Sequence, residues 1–93
     1  MDDVIWRQDI DSLAFRPSGH GGYCVVHRLA FRTLLRGEAL PETCRAFFVQ
    51  YRGVFEAAAR EKSALKGLAM NANFHLTSRD LRRSLAGTAP VEG

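Results

Sequence analysis

An amphipathic segment in the middle of the chain constrains the fold more than any other feature of this sequence. Between Pro41 and Gly67, apolar side chains recur at steps of three and four residues, the spacing that collects them on one face of an α-helix. These positions are Cys44, Phe47, Phe48, Tyr51, Phe55, Ala58 and Leu65. Proline suits the first turn of a helix and glycine its end, so the pattern predicts one long helix that forms the spine of the core.

The opposite face of this helix carries charges. Arg52, Glu56 and Arg60 lie four residues apart and form a row of alternating sign that partly neutralises itself. Gly53 weakens a helix by about 1 kcal/mol relative to alanine. We therefore expect close packing against another element to be the reason for this glycine.

Three further segments alternate between apolar and polar residues, as strands do. Residues 11–17 place Leu13 and Phe15 on one side, and residues 22–28 do the same with Cys24 and Val26. The glycine-rich stretch PSGHGG between them supplies a turn, so the pair is predicted to form a β-hairpin. Phe74 and Leu76 predict a third strand.

Two short helices complete the prediction. Leu29 to Arg36 has helical spacing and is followed by Gly37, which we expect to end it. In the second, Thr77 or Ser78 caps a helix with Asp80 in its first turn. The predicted fold is α+β, a small antiparallel sheet of about three strands packed against one long and two short helices, in the order β-β-α-α-β-α. The predicted core contains Phe15, Val26, Phe47, Tyr51, Phe55, Phe74 and Leu76.

Length and charge limit the organisation and the location of the protein. A chain of 93 residues has room for one domain, 1–93, with an acidic N-terminal segment at 1–10 and a flexible tail at 87–93. No apolar run approaches the about 18 residues of a membrane span, and the acidic start is unlike a signal peptide. We therefore expect a cytoplasmic protein that does not enter a membrane. Cys24 and Cys44 are expected to be buried free thiols.

The residues that carry catalytic or metal chemistry do not form a recognisable motif. Cys24 and His27 are three apart on a predicted strand and so face opposite ways, which argues against a shared metal ion. The glycines of SGHGG join two strands instead of a strand and a helix, so they are not a phosphate loop. We expect no enzyme, no cofactor and no metal site.

Arginines are the most suggestive polar feature. Arg28, Arg32 and Arg36 form a stripe along the first short helix, and Arg79, Arg82 and Arg83 form a cluster on the second. If these two helices lie side by side, the six guanidinium groups make one surface for an anion or for nucleic acid. Exposed arginine rows are, however, usually only solvated surface, and no aromatic residue is interleaved for base stacking.

The order of WRQDIDSLAF, GGYCVVHRLAF, CRAFFVQYRGVFEAAAREK and NFHLTSRD resembles the short bacterial proteins of the domain of unknown function 1488 family. The resemblance covers roughly residues 6 to 80 and rests on apolar and aromatic positions. It implies a small α+β domain and supplies no catalytic or binding residues. The sequence therefore favours a non-enzymatic module that binds a protein partner or itself, as a homodimer. Nucleic-acid binding through the arginine clusters is the alternative.

Overall fold

The computed structural model describes residues 4–88 of the chain, with the side chains of residues 4–86. Its strands are β1 (Val4–Arg7), β2 (Ser12–Phe15), β3 (Cys24–His27) and β4 (Phe74–Leu76). Its helices are α1 (Arg28–Leu35), α2 (Pro41–Gln50), α3 (Arg52–Lys66) and α4 (Ser78–Thr88), and a single 3-10 turn, Gln8–Ile10, follows β1. The α+β class is confirmed. The tail predicted at 87–93 begins within the last turn of α4, and its residues 89–93 lie outside the described residues.

The sheet has four strands in the order β1-β2-β3-β4, and it is mixed. The hairpin of β2 and β3 is antiparallel, as predicted, and β1 adds a further antiparallel pair. The prediction of an antiparallel sheet of about three strands is wrong in two respects. It missed β1, whose four residues lie in the acidic N-terminal segment, and it missed that β4 runs parallel to β3. Helices α1 to α3 carry the chain back before β4 begins, which is the connection that a parallel pair requires.

The predicted long helix is divided at Tyr51. The carbonyl of Tyr51 accepts hydrogen bonds from both Val54 N and Phe55 N, so the helical repeat tightens there, and α2 and α3 are separate elements. Gly53 follows the break. A Cβ atom built at Gly53 would meet no atom within 4 Å, so our expectation of close packing at this glycine is wrong.

The core lies between one face of the sheet and the four helices. Phe15, Val26, Phe55 and Leu76 are buried, as predicted. Phe47 and Phe74 are only partly buried, and Tyr51 is 36% exposed. A continuous helix would place Tyr51 inward, but the break at this residue leaves its ring at the surface. Fully buried side chains outside the predicted core set include Leu13, Phe31, Phe48 and Leu81.

Both cysteines are buried free thiols, as expected. Burial is the main cause that raises the pKa of each, and it raises the pKa of Cys44 to about 11 although the nearby Arg28 guanidinium acts in the opposite direction. Thiols protonated in this way are poor nucleophiles.

Helix α4 begins with a reciprocal cap, which the sequence predicted in part. Thr77 Oγ1 accepts a hydrogen bond from Asp80 N at 3.2 Å, and Asp80 Oδ2 accepts one from Thr77 N at 2.9 Å. Lys62 of α3 donates to the same Asp80 oxygen at 2.8 Å. Within residues 4–88 no helix is both long and apolar enough to cross a membrane.

Candidate functional site

The three arginines predicted on the first short helix differ in their surroundings. Arg28 donates to Asp11 Oδ2 at 2.8 Å, which ties the start of α1 to the start of β2. Arg32 and Arg36 are exposed, and both line a shallow depression on α1. Helix α1 ends one residue earlier than predicted, because Arg36 rather than Gly37 adopts the left-handed conformation, with φ at 60°.

The three arginines predicted on α4 are all exposed. Arg83 donates to Asp80 Oδ1 at 3.1 Å, so part of its charge is neutralised. Arg79 and Arg83 line a second depression, between α3 and α4, whose walls also carry the acids Glu61 and Asp80. Arg82 is the remaining member of the cluster.

Helices α1 and α4 contact each other, which is the arrangement that a joint arginine surface requires. Ion pairs nevertheless engage Arg28 and Arg83. Across the described part of the chain, the other four guanidinium groups have no hydrogen bond or ion pair: Arg32, Arg36, Arg79 and Arg82. The free positive charge is therefore smaller than six arginines suggest. It is also not gathered in one site, because Arg32 and Arg36 line one depression and Arg79 lines the other.

A second candidate surface is the side of the sheet that faces away from the core. The side chains that alternate with the core-facing ones lie on it, and we call them the open sheet face: Ile5, Arg7, Ser12, Ala14, Val25, His27 and His75. Ile5, Ala14, Val25 and His75 form one row across all four strands. Ile5 is 45% exposed and Val25 is partly buried, while the smaller Ala14 is covered between them. The centre of this face is therefore apolar.

Charges at the margin of the open sheet face are mostly compensated. Arg7 donates two hydrogen bonds to Asp9, at 2.9 and 2.6 Å, and these bonds lower the pKa of the Asp9 carboxyl. At the far end of β2 the Arg16 guanidinium lies 4.8 Å from the centre of the Tyr23 ring. This cation–π contact covers the aromatic ring that would otherwise be available to stack on a base.

Sequence reasoning missed the open sheet face because it missed β1. The signal was nevertheless present, since Val4 and Trp6 alternate with Ile5 and Arg7 in the period of a strand. Among the described residues, no three His, Cys, Asp or Glu side chains come close enough together to hold a metal ion.

Comparison with protein-family models, curated proteins and solved structures found no match to this chain. The resemblance to the domain of unknown function 1488 family thus stays a prediction from the pattern of apolar positions.

Proposed function

We propose that this protein is a small non-enzymatic interaction module that associates with a second copy of itself through the open sheet face. The observation that carries the proposal is the location of the helices, which cover one side of the sheet and leave the other without a helix, so that Ile5 is 45% exposed and Val25 is only partly buried there. The two buried thiols support a reducing compartment such as the cytoplasm as the place where it acts.

Charge and shape favour a second copy as the partner. Two sheets stack face to face at about 10 Å when their facing side chains are small and apolar. Because Arg7 is paired with Asp9, Arg16 is the main uncompensated charge near the open sheet face among residues 4–86, and these residues give little repulsion between two copies. A two-fold axis that runs along the row that contains Ile5, across the strands, would bring the Ile5 side chains of both copies into contact.

The size of the face sets the expected affinity. The four strands lie about 4.8 Å apart and are three to four residues long. The open sheet face therefore offers a contact area of roughly 200–300 Å² per copy. A standard stable interface uses about 800 Å² per partner, so the dimer should be weak, with a dissociation constant above about 10 μM.

Sedimentation equilibrium from about 10 μM to about 1 mM tests the proposal. We expect the average mass to rise from monomer toward dimer in this range. Ile5→Lys places a positive charge from each copy in the apolar row of the contact and should keep the protein monomeric throughout. Val49→Lys is the matched control, because Val49 is also apolar and exposed (65%) but lies on α2.

Three outcomes would contradict self-association through this face. The wild type could remain monomeric at 1 mM, the Ile5→Lys variant could dimerise as the wild type does, or Val49→Lys could be the variant that abolishes the dimer. Thermal unfolding of both variants checks that each is folded, since exposed substitutions change stability by only about 0.5 kcal/mol.

Nucleic-acid binding is the second candidate function, and the contact between α1 and α4 favours it. Four unpaired arginines on adjacent helices can bind phosphate oxygens of a backbone. Replacing Arg32 and Arg82 with Glu should then abolish the binding of duplex DNA. Replacing Arg16 and Arg60 with Glu is the control, because it changes the net charge equally and should leave most of the DNA binding intact. Each phosphate contact contributes a slope of about 0.9 to the fall of log affinity with log salt. Equal losses in both double variants would indicate attraction by net charge alone.

A further inference from the structure

A groove of about 340 Å³ lies between the β2–β3 turn, one side of α3 and the loop before β4. We call it the turn groove. Apolar side chains of Ala59, Leu68, Met70 and Phe74 contribute to its lining, together with polar groups from the turn and from α3. Its volume falls within the range of small-molecule pockets, about 300–1,000 Å³.

The two loops that form the rim are fastened to each other. Gly21 N donates to Met70 O at 2.7 Å, and His20 Nε2 donates to Ala72 O at 2.7 Å. Tyr23 N donates to Asn73 Oδ1 at 2.8 Å. The ring of His20 also meets the edge of Phe74, with centroids 5.3 Å apart. Because these contacts fix the two loops within the protein itself, little conformational entropy would be lost when a ligand binds.

Glu56 and Arg60 are the charged side chains that line the turn groove, and they differ in their bonding. Glu56 accepts from Ser18 N at 2.9 Å and from Arg52 Nε at 3.4 Å, and its side chain is only 16% exposed. Arg60 is exposed and makes no hydrogen bond or ion pair with any described residue. The row of Arg52, Glu56 and Arg60 therefore does not neutralise itself evenly, because Glu56 bonds to Arg52 and leaves Arg60 unpaired.

From this arrangement we propose that the turn groove binds a small organic carboxylate with an apolar body. The carboxylate would pair with the Arg60 guanidinium, which offers several donors in a planar fork. The apolar body would lie against Phe74, Met70 and Leu68. A cationic ligand is disfavoured because the charge of Glu56 is already paired with Arg52, whereas the positive charge of Arg60 is unpaired and would repel a cation.

Titration of the full chain, labelled with nitrogen-15, with sodium octanoate tests the proposal. Octanoate should shift the amide signals of residues around the turn groove, while octanol and octylammonium should bind at least about tenfold more weakly, the difference expected for a charge-assisted hydrogen bond. Arg60→Gln should lower the octanoate affinity by about tenfold. Arg32→Gln is the matched control, since Arg32 is also an exposed, unpaired arginine on a helix.

A second variant tests the cavity of the turn groove while leaving the charge of Arg60 in place. Ala64 lines the turn groove and is exposed, so Ala64→Phe should fill the groove without disturbing the core, and octanoate binding should be lost. The proposal is overturned if octanoate shifts no groove signals at about 10 mM. It is also overturned if octanol binds as tightly as octanoate. Wild-type affinity for octanoate in either Arg60→Gln or Ala64→Phe would overturn it as well. None of these readouts depends on dimerisation.

Discussion

Phe55 is the residue around which the aromatic side chains of the core gather. Its ring centroid lies 5.0 Å from that of Phe48, 5.8 Å from Phe31, 6.0 Å from Phe47 and 6.3 Å from Phe15. The residue is 1% exposed. Phe55 of α3 therefore connects the sheet with α1 and α2 through direct ring contacts.

Truncation of Phe55 should be far more damaging than truncation of Tyr51, the aromatic residue at the break between α2 and α3. Phe55→Ala should lower the free energy of unfolding by about 3–5 kcal/mol, because it removes a large buried ring and leaves a cavity. Tyr51→Ala, on the 36% exposed ring at the helix break, should lower it by only about 1 kcal/mol. Urea unfolding of both variants measures the difference. Equal losses would mean that Tyr51 lies in the core, as the sequence pattern alone predicts.

Asp80 makes the stability of the protein depend on pH. Burial acts to raise the pKa of Asp80, but hydrogen bonds from Lys62 and Thr77 outweigh it, so the pKa lies below its ordinary value of 3.8. A carboxyl with a lower pKa in the folded state stabilises the fold above about pH 4, and this contribution is lost as the pH falls through the folded-state pKa.

Asp80→Asn tests this dependence. The variant should be less stable than the wild type by roughly 1–2 kcal/mol at pH 7, and the gap should narrow as the pH falls below about 4. Urea unfolding at a series of pH values measures it. Asp9→Asn provides the comparison, because the Arg7–Asp9 pair is far more exposed and should contribute little. A gap that stays constant down to pH 2 would show that the charge of Asp80 is not what stabilises the cap.

At the scale of elements, the connection between the β2–β3 turn and the loop before β4 depends on one glycine. A Cβ atom at Gly22 would lie 2.3 Å from the carbonyl oxygen of Ala72, closer than real contacts allow. Gly53, near the start of α3, has open space around it. Substitution of glycine by alanine should thus have opposite effects on stability at Gly22 and Gly53.

Gly22→Ala should destabilise the protein by about 1–3 kcal/mol, since backbone must move to admit the methyl group. Gly53→Ala should stabilise it by about 0.4–1 kcal/mol, because it restricts the unfolded chain without a clash. Differential scanning calorimetry of the two variants would show a lowered and a raised melting temperature. A rise for Gly22→Ala would mean that the two loops lie farther apart than the structure shows.

Elements specified by local signals were predictable from the sequence, and the others were not. The glycine turn specifies the β2–β3 hairpin, and Thr77 with Asp80 specifies the start of α4. The division between α2 and α3 has no such signal, because apolar residues continue at helical spacing through Tyr51 and no proline interrupts them. Only the altered hydrogen bonding at the Tyr51 carbonyl marks the break.

At the scale of the whole molecule, β1 is part of the folded unit and not an appended segment. Val4 is 3% exposed within the core, and all four residues of β1 pair with β2. Deletion of residues 1–7 should therefore abolish cooperative unfolding or lower the melting temperature by more than about 10 °C. Circular dichroism during heating measures this. A deletion variant that melts like the wild type would show that the sheet is complete with three strands.

The candidate surfaces depend on tertiary structure, which limits what the sequence could predict about them. Exposure of Arg32, Arg36, Arg79 and Arg82 follows from helical spacing. The partner of Arg28 does not, because Asp11 is 17 residues away in the chain and approaches only when α1 packs beside the start of β2. The turn groove likewise could not be predicted from the sequence, since its walls come from three separate segments of the chain.

The parallel pairing of β3 with β4 has a kinetic consequence. Tyr23 and Asn73, which precede these strands and bond to each other, are 50 positions apart. Bringing such distant segments together costs loop-closure entropy before any contact repays it, and topologies dominated by such pairs fold slowly. The β2–β3 hairpin can form from neighbouring residues, whereas β4 and α4 must wait for α1 to α3 to close the distance. Until then we expect Val26 and Phe15 to be exposed to other chains, so the time that β4 takes to pair with β3 should set the period in which this protein is vulnerable to aggregation.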